Sequence, residues 1–316
     1  MRFALTAVGT ALLLVLLVVR FGGAGDFVAA ARAARPAWVV ASFAASTVCV
    51  LLSTVRWTQV VAAMGYTLPF GRALEVVLAT WPLAVVTPSR ANDLLRPLAV
   101  RDRVPLAAGA GGVIAEKAVD LGLLLAVAAV GAAINALWTW AGLIAVVLMA
   151  EVVVVTLVMA RRSWLQRLPL VRRRPGLVDE LFAAMSAFGR APSRLAAIAT
   201  VSLLIRFFTV VITHTLLVAV GADVSLFQTL TLWPAAMLVG VAPLTLGGMG
   251  TRDAAFLALL AAAQGGQGGQ GAHVQPASVL VATVGYSAIA TWSFALIGIP
   301  WMIRETLTVS SSKRET

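Results

Sequence analysis

The sequence predicts an all-α polytopic membrane protein, a single transmembrane domain over residues 1–316, with about six full transmembrane helices and two oppositely oriented re-entrant or broken helical hairpins. One observation behind this is bulk composition. With 60% hydrophobic and 12% charged residues and a mean hydropathy of +0.96, the chain carries more apolar surface than one soluble core hides. The other is a paired interruption. Two apolar stretches are broken at corresponding places by polar knots bearing Pro or Gly: the first runs from Ala73 into PSRANDLLRP (Pro88 to Pro97), the second from Leu226 into VAPLTLGGMGTRDA (Val241 to Ala254). Such pairs mark transporters built from repeats, with the substrate site near the bilayer midplane.

Taken in order, Arg2 and the apolar run Phe3 to Val19, with small residues at Ala29 to Ala31, fit either an anchor or a signal peptide. We read an uncleaved first helix, because the later spans need its orientation. Spans long enough to cross fall at 3–20, 37–62, 113–134, 138–160, 194–220 and 276–303. The segment 161–194 holds eight arginines against Asp179 and Glu180, which places it in the cytoplasm. That anchor puts the amino terminus, the arginines 90, 96, 101 and 103, and the tail 304–316 on the same side. Ala73 to Val86 is short for a crossing and reads as re-entrant from the cytoplasm; 226–263 enters from outside and returns there. The loop with Arg20, Arg32 and Arg35 then comes out external, against the charge rule.

The two half-repeats are 37–134 and 194–303. GYTLPFGRAL from Gly65 echoes GADVSLFQTL from Gly221, and Trp81-Pro82 is answered by Trp233-Pro234. Within the Arg-rich loop 161–193, Leu177, Leu181, Phe182, Met185 and Phe188 recur at helical spacing, which predicts an interfacial helix. QGGQGGQGA, Gln264 to Ala272, reads as a low-complexity external loop.

The net charge of +11 does not point to nucleic acid. All of the 24 basic residues except Lys117 and Lys313 are arginine, and they gather between apolar spans, where topology and anionic lipid headgroups at the cytoplasmic face account for them. Cys49 is the lone cysteine and there are two histidines, so neither a disulfide framework nor a soft-ligand metal site is expected, and no cofactor.

The residues that can carry function are ionisable groups at membrane depth. In the first knot Arg90, Asp93 and Arg96 are spaced by three, so a helix starting near Ser89 presents them along one side, and two guanidiniums beside its amino end suit a phosphate. A charge-rule loop is the plain alternative, preferred for Arg101 and Arg103. In the second knot Gly247, Gly248 and Gly250 permit positive φ and close backbone approach, or simply tight helix packing; Thr251, Arg252 and Asp253 start the returning half-helix. Glu116, Lys117 and Asp120 open an apolar helix and fit either an ion-pair network with Arg90 or Arg96, or a headgroup or proton site. Arg206 lies deep in its span and faces inward, His214 reads as a hydrogen-bonded packing residue, Arg56 and Glu75 as groups that snorkel to the headgroups. Glu151 has no evident partner.

These knots resemble the transmembrane region of the lysylphosphatidylglycerol synthase and flippase family. The family pattern is Pro-Gly-Arg-x-Gly-Glu-x-x-Arg, then Glu-Arg-x-x-Asp, then Pro-x-x-x-Gly-Gly-x-Gly-x-x-Glu. Here it reads Pro88, Ser89, Arg90, Asn92, Asp93 and Arg96; Glu116, Lys117 and Asp120; Pro243, Gly247, Gly248, Gly250 and Asp253. Ser89 and Asn92 stand for glycines, Asp93 and Asp253 shorten the acids, and Lys117 gives up the bidentate pairing of an arginine. The resemblance implies the flippase module without the soluble aminoacyl-transferase domain.

The expected function is a flippase or exporter moving an anionic or phosphate-linked lipid, a modified phospholipid or polyprenyl-phosphate glycolipid, across the cytoplasmic membrane. No G-x-x-x-x-G-K-[ST] loop is present to bind ATP. The alternatives are an integral glycosyl or acyl transferase using Asp93 or Asp253 as base, and a scaffold that recruits a lipid-modifying enzyme partner through 161–194.

Overall fold

The computed structural model describes residues 2–20, 23–86, 88–160, 175–242, 244–265 and 275–312. The Arg-rich segment 161–174, most of the glycine-glutamine loop, Pro243, and Lys313 and Arg314 of the tail lie outside the described residues, and of Arg90 only the backbone is described. Among the described residues every regular element is helical.

Two long helices form the centre. α3 (Pro36–Ala63) and α9 (Pro192–Ala219) have 28 residues each and open with a proline in the first turn, where a missing N–H costs nothing. Each ends just before a glycine in the left-handed region, Gly65 at φ 87° and Gly221 at φ 67°. They pack antiparallel: Arg35 N donates to Ala219 O at 2.9 Å at one end, and Arg194 Nη1 donates to Gln59 Oε1 at 2.6 Å at the other. Small polar residues line the seam, with Ser42 and Thr215 hydroxyls 2.7 Å apart and Cys49 Sγ on Ile205 O.

Each central helix leads into a shorter one that carries the Trp-Pro pair: α4 (Phe70–Val86) with Trp81-Pro82, and α10 (Leu226–Val241) with Trp233-Pro234. α10 opens on a full capping box between Ser225 and Gln228. After α4 comes a 3₁₀ turn, Pro88–Leu95, and the single turn α5 (Arg96–Ala99). After α10 comes a glycine turn, Leu246–Gly248, and α11 (Thr251–Gly265). The chain thus repeats a long helix, a proline-bearing helix and a knot, with the long helices running in opposite directions.

Around this core lie α1 (Arg2–Arg20) and α2 (Gly23–Arg32), α6 (Leu106–Ile134) and α7 (Trp138–Ala160), α8 (Pro175–Arg190), and α12 (Pro276–Ser287), which passes through a π turn at Ala288–Trp292 into α13 (Ser293–Ser312). Among the described residues five helical stretches are long and apolar enough to cross a membrane: Pro36–Ala63, Leu106–Ile134, Trp138–Ala160, Pro192–Ala219 and Pro276–Thr306. The expected first span is the exception. Thr6–Arg20 reaches the count only together with α2, from which it bends by 92°. α1 nonetheless joins the core, with Leu17 buried and Thr10 Oγ1 accepting from Leu246 N at 2.9 Å.

The span expected at 113 begins at Leu106 instead. Its glycines are contact surfaces, not loop residues: a Cβ at Gly109 falls 2.8 Å from Pro97, at Gly111 2.5 Å from Leu181 O, and at Gly112 2.7 Å from Met64 Sδ. The amphipathic segment at 177–188 does form a helix, α8, but Phe182, Ala184 and Phe188 are buried, and Leu181 and Ala184 meet α6 at Gly111, so protein takes up much of its apolar face.

Candidate functional site

The first knot folds back on its own entrance. Arg72, near the start of α4, donates through Nη2 to Ala99 O at 2.7 Å, where α5 ends, and also pairs with Glu75 at 3.0 Å and with Glu305 of α13. Glu75 is therefore held by Arg72, and lies 3.6 Å from Arg304, instead of reaching freely to headgroups. The 3₁₀ turn stacks residues three apart on one edge, which aligns Arg90 and Asp93 by their backbone, and Arg96 follows as the first residue of α5. Asn92 pins the turn by donating from Nδ2 to Thr80 O at 3.1 Å, a carbonyl just ahead of the Trp81-Pro82 bend.

In the second knot Gly247, Gly248 and Gly250 have φ of 59°, 77° and 83°, all in the region other residues avoid. A Cβ at Gly248 meets Gly240 O at 2.7 Å, and one at Gly250 meets Leu13 at 2.8 Å, so close approach is required as well. Asp253 closes the loop by accepting from Gly250 N at 2.9 Å. It also holds Arg252 at 2.7 Å, and Arg252 donates on to Thr283 O and Ser287 Oγ, each at 3.0 Å. The Arg252 guanidinium lies 4.8 Å from the Tyr286 ring centroid and 5.2 Å from that of Trp233. This pair anchors the knot to α12.

Six of the expected site residues come together in one ion-pair chain. Lys117 pairs with Asp93, Asp93 with Arg96 at 2.6 Å, Arg96 with Glu116 at 3.6 Å, Glu116 with Arg56 at 2.7 Å, Arg56 with Asp120 at 2.9 Å, and Asp120 with Arg206. Arg56 is the member that sequence reasoning misread. It does not snorkel: it is 5% exposed, bridges two carboxylates and donates to Ser202 Oγ at 3.0 Å. The available signal was its place inside an apolar span; its partners, some sixty residues away in sequence, were out of reach of any local pattern. Glu116 has no exposed surface, and Trp57, also fully buried, lies 5.8 Å from the Arg96 guanidinium. Buried donors remain without a hydrogen bond at Arg96 Nε and Nη1 and at Arg206 Nε. His214 meets Thr229 Oγ1 at 3.3 Å, the packing contact expected of it.

Both knots face one cavity of about 460 Å³. Asp93, Arg96 and Asn92 line it from the first, Gly247 and Arg252 from the second, Arg56 and Arg206 from the central helices, and Lys117 and Asp120 from α6. Gly248, Gly250 and Asp253 shape the second knot from behind. Leu94, Ile114 and Val241 also line the cavity and are exposed, so its charged interior opens past apolar side chains. No group of three or more metal-ligating side chains occurs among the described residues.

The family model described as "Lysylphosphatidylglycerol synthase TM region" matches residues 3–298, which takes in both knots and every central helix. No curated protein matches the chain significantly.

Proposed function

Since the chain belongs to the lysylphosphatidylglycerol synthase transmembrane-region family and is a multi-pass membrane protein acting on lipids, we propose that it is a flippase or exporter for an anionic or phosphate-linked lipid of the cytoplasmic membrane. The observation that carries this reading is the cavity between the knots. Among the described residues four cations, Arg56, Arg96, Lys117 and Arg206, share three carboxylates there, which leaves positive charge in surplus. Its volume suits a headgroup, not a whole lipid, and exposed Leu94, Ile114 and Val241 suit acyl chains that stay in the bilayer.

The antiparallel pairing of equivalent helices supports an inverted repeat, and the Arg72 tie between the entrance and exit of the first knot supports a re-entrant segment. Membrane-depth backbone of this kind is tolerated where it lines a cavity. The carboxylates favour transport over catalysis, because Asp93, Glu116, Asp120 and Asp253 all serve cations. Both termini lie in the cytoplasm in this scheme, with anionic lipids at that face, and the Arg-rich loop 161–194 offers a lipid-modifying enzyme a docking segment.

Vesicles reconstituted with the purified chain and a fluorescent phosphatidylglycerol test the reading. Leaflet exchange should appear with the wild type and be lost in Arg96→Gln while membrane insertion persists. Covalent conversion of the lipid without exchange would assign the chain to the transferases instead.

A further inference from the structure

Apart from the Arg252–Asp253 pair, seven charges of the site among the described residues form a linear, strictly alternating chain: Lys117, Asp93, Arg96, Glu116, Arg56, Asp120, Arg206. Both ends are cations, and the ends differ from the middle. The Arg96, Glu116 and Arg56 side chains are 4%, 0% and 6% exposed, whereas Lys117 is 36% and Arg206 15% exposed. Both terminal cations line the cavity. Among the described residues each forms an ion pair with a single carboxylate, whereas Arg96 and Arg56 each bridge two.

We propose that Lys117 and Arg206 are the two groups that grip the phosphate of the lipid headgroup, and that Arg56 and Arg96 only position them. The argument rests on what each cation leaves behind when it turns to a ligand. Removing one partner of a buried pair strands a charge and is strongly unfavourable. If Arg96 or Arg56 left the chain, two carboxylates would each lose a cation, one of them Glu116, which has no exposed surface. When Lys117 leaves Asp93, that carboxylate keeps Arg96 at 2.6 Å; when Arg206 leaves Asp120, it keeps Arg56 at 2.9 Å. The terminal cations can therefore pass to an anion and back without baring a carboxylate. An anion held between them closes the open chain into a ring. Reversible grip is what a carrier needs, since a headgroup must leave as readily as it enters.

The proposal rests on the reading of the cavity as a lipid headgroup site, and a binding measurement separates the two. The full chain, purified in maltoside micelles, is titrated with dihexanoylphosphatidylglycerol, with dihexanoylglycerol and inorganic phosphate as parallel probes, and binding is read by calorimetry. The wild type should bind the phospholipid, with dihexanoylglycerol silent and inorganic phosphate weak. Lys117→Gln and Arg206→Gln should each weaken binding by about tenfold or more, the loss expected for one charge-assisted hydrogen bond. Lys117→Arg should restore affinity, which a purely structural role for the lysine would not require. Lys117, the most exposed member, keeps the test open if Arg206→Gln does not fold. Binding unchanged in Lys117→Gln, or absent from the wild type, overturns the proposal. Phosphate bound as tightly as the phospholipid would make the site one for free anions and would likewise overturn it. If the variants lose binding while wild-type vesicles show no leaflet exchange, the grip stands and the transport reading falls; if exchange occurs and the variants match wild type, the reverse holds.

Discussion

Arg56 stands at the middle of the site in energetic terms. It bridges Glu116 at 2.7 Å and Asp120 at 2.9 Å with almost none of its surface exposed. Replacing it by Gln leaves both carboxylates short of a cation in a low-dielectric interior, a loss on the order of 3–5 kcal/mol for a broken buried pair. The detergent-solubilised Arg56→Gln protein should unfold at a clearly lower temperature than wild type, with Arg56→Lys in between because a single ammonium replaces the planar fork. Equal midpoints for all three would mean the pairs carry no stability. At this scale the sequence was partly legible. Charged residues inside apolar spans identified Glu116, Lys117, Asp120 and Arg206, because such groups are expensive at membrane depth. Which charge meets which was not legible, since Asp93 and Lys117, or Asp120 and Arg206, are brought together only by packing between separate helices.

Among the elements, the helices are held apart or together by single glycines. A Cβ at Gly131 of α6 falls 2.0 Å from Thr231 O of α10, and one at Gly298 of α13 falls 2.2 Å from Leu78 O of α4. Gly142 of α7 meets nothing within 4 Å. Gly131→Ala should therefore force α6 from α10 and lower the yield of folded, monodisperse protein on size exclusion, while Gly142→Ala behaves as wild type. A Gly131→Ala protein that is as well behaved as Gly142→Ala would show that the close crossing is dispensable. Gly109, Gly111 and Gly112, which also make close contacts, lie in the first turns of α6, ahead of the start expected at 113. Glycine in water marks a flexible turn, but in a lipid-facing bundle it marks a helix contact, and the run at 109–112 belongs to the second class. The knots were the most legible elements, because proline and clustered glycine announce a break regardless of context. Their internal geometry was less so: the first is a 3₁₀ turn and not the start of an α-helix.

In the whole molecule, the repeated order of long helix, proline-bearing helix and knot brings two interruptions from distant parts of the chain to one cavity. The weak echo between the segments following Gly65 and Gly221 acquires a physical basis, since both glycines hold the left-handed turn that redirects the chain from a central helix toward its knot. The bend of α1 against α2 was invisible in hydropathy, which registers apolar length and not direction. Arg72 and Glu305 fasten the entrance of the first knot to α13, so the two halves of the bundle are tied at that end as well as through α3 and α9. On this architecture each knot buries a residue at its centre: Asn92 is 3% and Met249 7% exposed.

Cysteine labelling at those two positions tests this arrangement most directly. With Cys49 replaced by Ala, single Asn92→Cys and Met249→Cys proteins in intact vesicles are exposed to a membrane-impermeant maleimide from each side in turn. Facing, buried knots predict slow labelling at both positions compared with a cysteine placed at exposed Gly189. Rapid labelling at both, each from an opposite aqueous surface, would contradict a shared cavity and with it the headgroup path drawn through it.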